Sequence, residues 1–384
     1  MKKKIIIIGG GFAGISAVKR LAISGLDLEL TLLDKRECSD FLPVVPDIIG
    51  RAVNPRFLES RIKAELSKRK FNFVLDEVVA VDFESQTVKT VLSSYRYDFL
   101  LIASGSQTNF FGRQDLMHKV SVLNSVAHAK SLLGVLRENK FENLVVSGGG
   151  YTGVECATNL WLYCKQNKLV KKIYIIERAA RILAPLPEWM KKDVEKSLKK
   201  MGIEILTNST VETVEESLVK VSTGQLLEKC LLIWVSGVVT ADFIQKLMVN
   251  KGTQGRLIVD EYLKINQNCF CAGDSAFFKQ KDSVLRMAVQ FALAQGDCAA
   301  KNIARSIKGE NLKKFSPLDL GFILPLANNR SCGQICGFKV KGRLATLLHF
   351  SMCIFRLPGI KNKIGLMANL LNFKSAVNKG GKKC

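Results

Sequence analysis

The stretch that decides the fold is Lys4-Ile5-Ile6-Ile7-Ile8-Gly9-Gly10-Gly11-Phe12-Ala13-Gly14. A short apolar run breaks directly into glycines, and a helical pattern rich in small residues follows from Ile15 to Leu21. Gly9, Gly11 and Gly14 match G-x-G-x-x-G. In that motif the first glycine makes a tight turn and the second lets backbone approach a pyrophosphate. The third lets helix and strand pack closely, and the helix N-terminus offers free amides and a partial positive charge. A second apolar strand, Leu28 to Leu33, ends in Asp34. That position, roughly 20 residues on, is where a ribose-binding acid belongs. The stretch therefore reads as a dinucleotide site, with flavin and nicotinamide both open.

The length of 384 residues suggests two or three domains. The net charge of +23 suits nucleic acid or an anionic membrane surface, or reflects a lysine-rich proteome. No nucleic-acid motif accompanies the charge, so DNA is not expected as a partner. The run after Met1-Lys2-Lys3-Lys4 is too short for a signal-peptide core. No segment reaches the roughly 18 apolar residues of a membrane-spanning helix. Eleven scattered cysteines form no C-x-x-C pair, and no metal-ligand spacing is present. They read as reduced, mostly buried thiols of a reducing cytoplasm.

Along the chain, Phe41-Leu-Pro-Val-Val-Pro46 reads as an irregular connection, and a basic helical stretch is expected from about Arg56 to Lys70. Tyr97-Asp-Phe-Leu-Leu-Ile-Ala-Ser104-Gly105-Ser106 is an apolar strand stopping at a small-residue turn, and Leu231-Leu-Ile-Trp-Val-Ser-Gly237 repeats it. Between them lies a second signature. Leu144-Val-Val-Ser147 leads into Gly148, Gly150 and Gly153, a helix runs to about Lys165, and the strand from Lys172 ends in Glu177. This internal repeat predicts an α/β fold in which one Rossmann-like domain is inserted in another. The chain then returns through Gly255-Arg-Leu-Ile-Val-Asp260 and Cys269-Phe-Cys-Ala-Gly273-Asp274 to a helix from about Leu285 to Ile303. After Asp319 no acidic residue occurs, which marks off a C-terminal region. The domains so read are residues 1–113 and 246–325 for the first unit, 114–245 for the inserted unit and 326–384 for the C-terminal region.

Two signatures, intervening strand-turns and a late Gly-Asp resemble the two-dinucleotide-binding flavoproteins. Tyr97-Asp-Phe-Leu-Leu-Ile-Ala-Ser-Gly-Ser-Gln-Thr-Asn-Phe-Phe-Gly112, Thr152-Gly-Val-Glu155, Ile233-Trp-Val-Ser-Gly237 and Ala272-Gly-Asp274 are most similar to type II NADH dehydrogenases. The resemblance spans essentially the whole chain. It implies hydride transfer from NADH to FAD and two-electron reduction of a membrane quinone, without proton pumping. It also implies that Gly9, Gly11, Gly14 and Asp34 hold the adenosine diphosphate half of FAD, with Asp274 on its ribityl or pyrophosphate portion. Gly148, Gly150 and Gly153 would cradle the NADH pyrophosphate and Glu177 its adenine ribose. A carboxylate there repels a 2′-phosphate, favouring NADH over NADPH, although Arg178 beside it pulls the other way. Glu155, two residues past the third glycine, is expected near the nicotinamide and flavin, in orienting or proton handling or as a buried structural carboxylate.

The family's quinone-site helix reads roughly Ala-Gln-x-Ala-x-Gln-x-Gly. The matching stretch is Val289-Gln290-Phe291-Ala292-Leu293-Ala294-Gln295-Gly296. Gln290 is in place, but Ala294 stands at the second glutamine, with Gln295 a helical step of about 100° away. The family docks to membranes through C-terminal helices, here Leu344 to Phe355 and an amphipathic face of Ile360, Ile364, Met367, Leu370 and Leu371. The expected location is the cytoplasmic face of the cell membrane, as a peripheral protein on anionic lipid. Pairing as a homodimer is left open. The nearest rivals are a sulfide:quinone oxidoreductase and a non-catalytic redox-sensing flavoprotein. A disulfide reductase is excluded by the solitary Cys38 after the first signature.

Overall fold

Ile5, Ile6, Ile7 and Ile8 are all buried in the computed structural model, which describes residues 2–280 and 283–380, with side chains as far as 372. Their strand, Lys3–Ile8, is the middle of five parallel strands in the order Cys269–Cys271, Phe99–Ile102, Lys3–Ile8, Leu28–Asp34 and Asn72–Leu75. A parallel sheet is covered on both faces, which is why the run is continuously apolar rather than alternating. Ile5 pairs with Leu30 on one side and Phe99 on the other. The helix Phe12–Leu21 follows the glycines and packs on Val289–Lys308. The two helices approach so closely that a Cβ on Gly296 would lie 2.1 Å from the Ala13 carbonyl oxygen.

A second five-stranded sheet repeats the plan: Ser121–Val122, Cys230–Trp234, Asn143–Ser147, Lys172–Ile176 and Ile203–Leu206, all parallel. Its signature helix is Tyr151–Gln166. The chain divides into two compact units: residues 1–39, 60–107 and 238–318, and residues 40–59, 108–237 and 319–384. The inserted unit is thus joined by two pieces outside its signature region, residues 40–59 and the C-terminal end. Met1 and residues 381–384, Cys384 among them, lie outside the described residues.

Three local expectations change. The helix expected at 56–70 is only one turn, Ile62–Glu65, preceded by a short strand, Glu59–Arg61. Leu58, Ile62 and Leu66 are buried there, but Glu59–Arg61 pairs with the strand Cys38–Asp40, which takes that part of the backbone out of a helix. The proline-rich connection contains a 3-10 turn, Leu42–Val44, and then a single helical turn, Asp47–Gly50. The C-terminal region opens with an antiparallel three-stranded sheet, Gly321–Leu324, Ser331–Ile335 and Phe338–Lys341, before its helices Gly342–Arg356 and Ile360–Gly380.

Candidate functional site

In the first unit Gly9 sits at φ 106°, a backbone region that L side chains rarely adopt, and its amide donates to the Leu33 carbonyl at 2.8 Å. A Cβ there would come 2.3 Å from the Ala103 oxygen, and one on Gly14 would come 1.8 Å from the Gly9 oxygen. Gly11 differs: nothing lies within 4 Å of a Cβ at that position, so its face of the turn is open to a ligand. No side chain caps the helix that begins at Phe12. The turn therefore presents an uncapped helix N-terminus suited to phosphate. Asp34 is held by two backbone amides, Gly10 to Oδ2 at 2.6 Å and Arg36 to Oδ1 at 2.7 Å. A carboxylate has about four lone-pair sites, which leaves room for two ribose hydroxyls.

The neighbouring strand Phe99–Ile102 ends in the turn Ser104-Gly105-Ser106, and Cys269–Cys271 ends in Gly273-Asp274-Ser275. Adjacent strands bring these turns together. Ser275 Oγ donates to the Gly105 carbonyl at 3.1 Å and lies 3.3 Å from Ser104 Oγ, while Ser106 Oγ donates to Asp274 Oδ2 at 3.0 Å. Burial pushes the Asp274 carboxyl above the usual carboxylate range, opposed by the Ser106 hydroxyl and the Arg256 charge. Gly273, at φ 72°, donates its amide to Gln295 Oε1 at 2.7 Å.

That bond accounts for the shifted glutamine. Ala294 is exposed on the helix Val289–Lys308, while Gln295, one step round, is buried beneath the Gly-Asp turn. Gln290 lies in the helix's first turn, half-buried.

In the inserted unit Gly148 is at φ 109° and donates to the Ile176 carbonyl at 2.8 Å, and a Cβ on Gly153 would lie 1.8 Å from the Gly148 oxygen. Gly150 is open, as Gly11 is. Glu177 accepts from Gly149 at 2.7 Å and Ala179 at 2.8 Å. Arg178 is exposed, and Arg181 is engaged by both oxygens of Glu195 and by Glu188. Gly237, in the turn after the strand Cys230–Trp234, is at φ 68°, and a Cβ there would lie 2.7 Å from the Phe111 ring.

Glu155 is half-buried on the signature helix, and its carbonyl accepts from Thr158 Oγ1 and Asn159 Nδ2. Burial and the Asp47 charge push its carboxyl well above the usual range. The sequence reading missed Asp47 and Arg51, a buried ion pair at 2.8 Å. The available signal was their i, i+4 spacing beside Gly50. Among the cysteines, burial pushes the Cys156 and Cys332 thiols up to about 12, leaving them protonated and unreactive.

Residues 3–296 match the family described as pyridine nucleotide-disulphide oxidoreductase. A type II NADH:quinone oxidoreductase of Staphylococcus aureus (strain NCTC 8325 / PS 47) is 28% identical over 393 residues, covering 94% of this chain and 97% of that protein. The solved structure of NDH2 from Plasmodium falciparum in complex with NADH superposes with a TM-score of 0.84 at 17% identity, covering 97% of this chain and 98% of that one. The sulfide:quinone oxidoreductase of Aquifex aeolicus follows at 0.80 and 18%, covering 94% and 92%. At such identities the structural likenesses establish the fold.

Proposed function

The chain belongs to the pyridine nucleotide-disulphide oxidoreductase family, and on that premise we propose that it oxidises NADH and passes the electrons through FAD to a quinone. The carrying observation is the pair of glycine turns, each open at its middle glycine and each closed by a carboxylate on the next strand. When bound, FAD supplies the hydride-accepting, two-electron chemistry, and the chain supplies binding, orientation and surroundings.

In the first unit Gly9, Gly11 and Gly14 cradle the FAD pyrophosphate, Asp34 accepts from the adenosine ribose, and Asp274 faces the ribityl or pyrophosphate portion. The Ser104-Gly105 turn walls that site. Gly148, Gly150 and Gly153 do the same for NADH, with Glu177 on its ribose and Gly237 on the opposing turn. Because Arg181 is spent on two glutamates, Glu177 faces any 2′-phosphate without help from it, which supports NADH over NADPH. Glu155 holds a proton at the NADH end of the signature helix. Gln290 is the glutamine we assign to the quinone.

Docking to an anionic membrane surface, at the cytoplasmic face, is part of the same proposal. Leu344, Leu347 and Phe355 on one C-terminal helix, and Ile360, Ile364, Met367 and Leu371 on the next, are all exposed, in a region whose formal charges are Lys and Arg. No helix among the described residues is long and apolar enough to cross a membrane. Such a face suits interfacial insertion, with the Lys363 ammonium held over the Phe355 ring and donating to the Phe355 carbonyl at 2.7 Å, at the junction of the two helices.

The test is anaerobic reduction of the flavin-loaded protein by NADH, followed by reoxidation with a panel of quinones. Bleaching by NADH and recovery with quinone are expected. A flavin that sulfide bleaches and NADH does not would overturn the donor assignment.

A further inference from the structure

A buried charge pair lies beside the second signature helix, where dinucleotide binding does not require one. The single turn Asp47–Gly50 is pressed against the helix Tyr151–Gln166. A Cβ on Gly50 would lie 2.4 Å from Asn159 Oδ1 and 2.7 Å from the Asn159 carbonyl oxygen. Gln166 Nε2 donates to the Gly50 carbonyl at 3.1 Å, and Asn159 Nδ2 donates to the Glu155 carbonyl at 3.0 Å. The turn is thereby locked against the signature helix at Asn159 and Gln166, and Asn159 ties back to Glu155 one turn earlier.

Arg51 closes the arrangement. Its Nε donates to Asp47 Oδ1 at 2.8 Å, its Nη2 donates to the Leu326 and Ala327 carbonyls at 3.2 and 3.3 Å, and its guanidinium stacks 5.1 Å over the Phe350 ring. The Ala327 amide donates to Thr158 Oγ1 at 3.3 Å, and that hydroxyl donates to the Glu155 carbonyl at 3.1 Å. Buried ion pairs are weak stabilisers, since apolar side chains of similar volume serve a fold as well or better. A pair so completely buried beside a carboxyl points to control of charge.

We propose that Asp47 and Arg51 are positioning residues that keep Glu155 protonated and fixed in place through the catalytic cycle. The inference rests on the NADH:quinone reading above. In that reaction NADH, one proton and quinone become NAD⁺ and quinol: the hydride carries one hydrogen, and the second proton comes from solution. A neutral Glu155 stores a proton on the helix that binds NADH.

The surrounding groups agree with this assignment. Facing the cluster are Asp47 and Arg51 on the short turn, Cys156 on the signature helix, and His349, Cys353 and Arg356 on Gly342–Arg356. Burial lowers His349 to about 4 and raises the Cys353 thiol, so both are neutral near pH 7. Burial raises Asp47 to about 6 against the pull of Arg51, so near pH 7 it is ionised and its charge opposes ionisation of Glu155.

The test reads the proton directly. In flavin-loaded protein, infrared spectroscopy follows the carboxylic-acid carbonyl band assigned by its loss in Glu155→Gln. The band is expected to persist through neutral pH. In Asp47→Asn the repelling charge is gone and Arg51 is left unpaired, so the midpoint falls by about one pH unit or more. The pH profile of flavin reoxidation by quinone is expected to shift acidward with it, while KM for NADH stays put. Should Asp47→Asn not fold, the double variant Asp47→Asn, Arg51→Met carries the test, with a midpoint below the parent's but above that of the single variant where both exist. A midpoint equal to the parent's in the foldable variant, or no Glu155 acid band near pH 7, overturns the proposal. The band is read without NADH or quinone, so its failure is separable from failure of NADH to bleach the flavin.

Discussion

The two glycine turns are close copies of each other. Gly9 and Gly148 stand at φ 106° and 109°, a Cβ added to Gly14 or to Gly153 would meet the first glycine's carbonyl oxygen at the same 1.8 Å, and Asp34 and Glu177 each accept from two amides. The difference lies one strand away. In the first unit the outer strand, Cys269–Cys271, delivers Asp274 to a turn that Ser106, Ser275 and Gln295 pin in place. The corresponding outer strand of the inserted unit, Ser121–Val122, runs on into Leu123 and Asn124 and brings no acid. On the proposed reading, equal cradles with unequal closure suit a permanently held FAD and an exchanging NADH. The extra, pre-ordered polar contacts around Asp274 would then slow release of the first cofactor relative to the second.

The sharpest way to break that comparison is to fill each cradle in turn. In Gly14→Ala a methyl group lands 1.8 Å from the Gly9 oxygen, and in Gly153→Ala it lands equally close to the Gly148 oxygen. Neither clash is with a flexible side chain, so the turn itself must open. Gly14→Ala is expected to purify colourless. Gly153→Ala is expected to remain yellow, melt within a few degrees of the parent and resist bleaching by NADH. Loss of flavin from both variants would mean the two cradles do not serve different nucleotides.

Exchanging the acids has a smaller effect. Glu177→Gln keeps volume and one acceptor oxygen but weakens bonds to a charged group, each contributing about 1.5–3 kcal/mol. KM for NADH is expected to rise about tenfold or more, with kcat held and discrimination against NADPH reduced. Asp34→Asn is expected to leave KM for NADH alone and speed flavin loss during dialysis. A rise in KM for NADH in Asp34→Asn would erase the distinction between the two acids.

The two glycine turns and their acids were legible in the sequence because strand, glycine spacing and acid all fall within about 30 residues of each other, and the Gly-Asp turn because it ends a short apolar strand. What escaped depends on residues far apart in the chain. Asp47 and Arg51 matter because Leu326, Ala327 and Phe350 fold over them. The three-stranded sheet at Gly321–Lys341 was missed because its strands are short and carry Gly333 and Lys339 where an alternating pattern would have announced them. Helical periodicity did place the C-terminal helices and the exposed apolar face of the last one.

Gln295 tests the closure itself, with the smallest expected effect. Its amide oxygen accepts a hydrogen bond from the Gly273 N–H in a site with almost no solvent, and Asp274 follows directly. In Gln295→Leu that amide is left buried without an acceptor, a penalty of about 1–3 kcal/mol concentrated on the turn that carries Asp274. The expected result is weaker flavin retention, with KM for quinone unchanged in the fraction that keeps its flavin. Gln290→Ala is expected to do the reverse, raising KM for quinone and leaving retention alone. The glutamine in the family's quinone helix and the one shifted beside Ala294 would then have separate duties, the second being part of what makes the first cradle a permanent seat. If Gln295→Leu raised KM for quinone at full flavin occupancy, the brace would be incidental and the two units would differ by Asp274 and its serines alone.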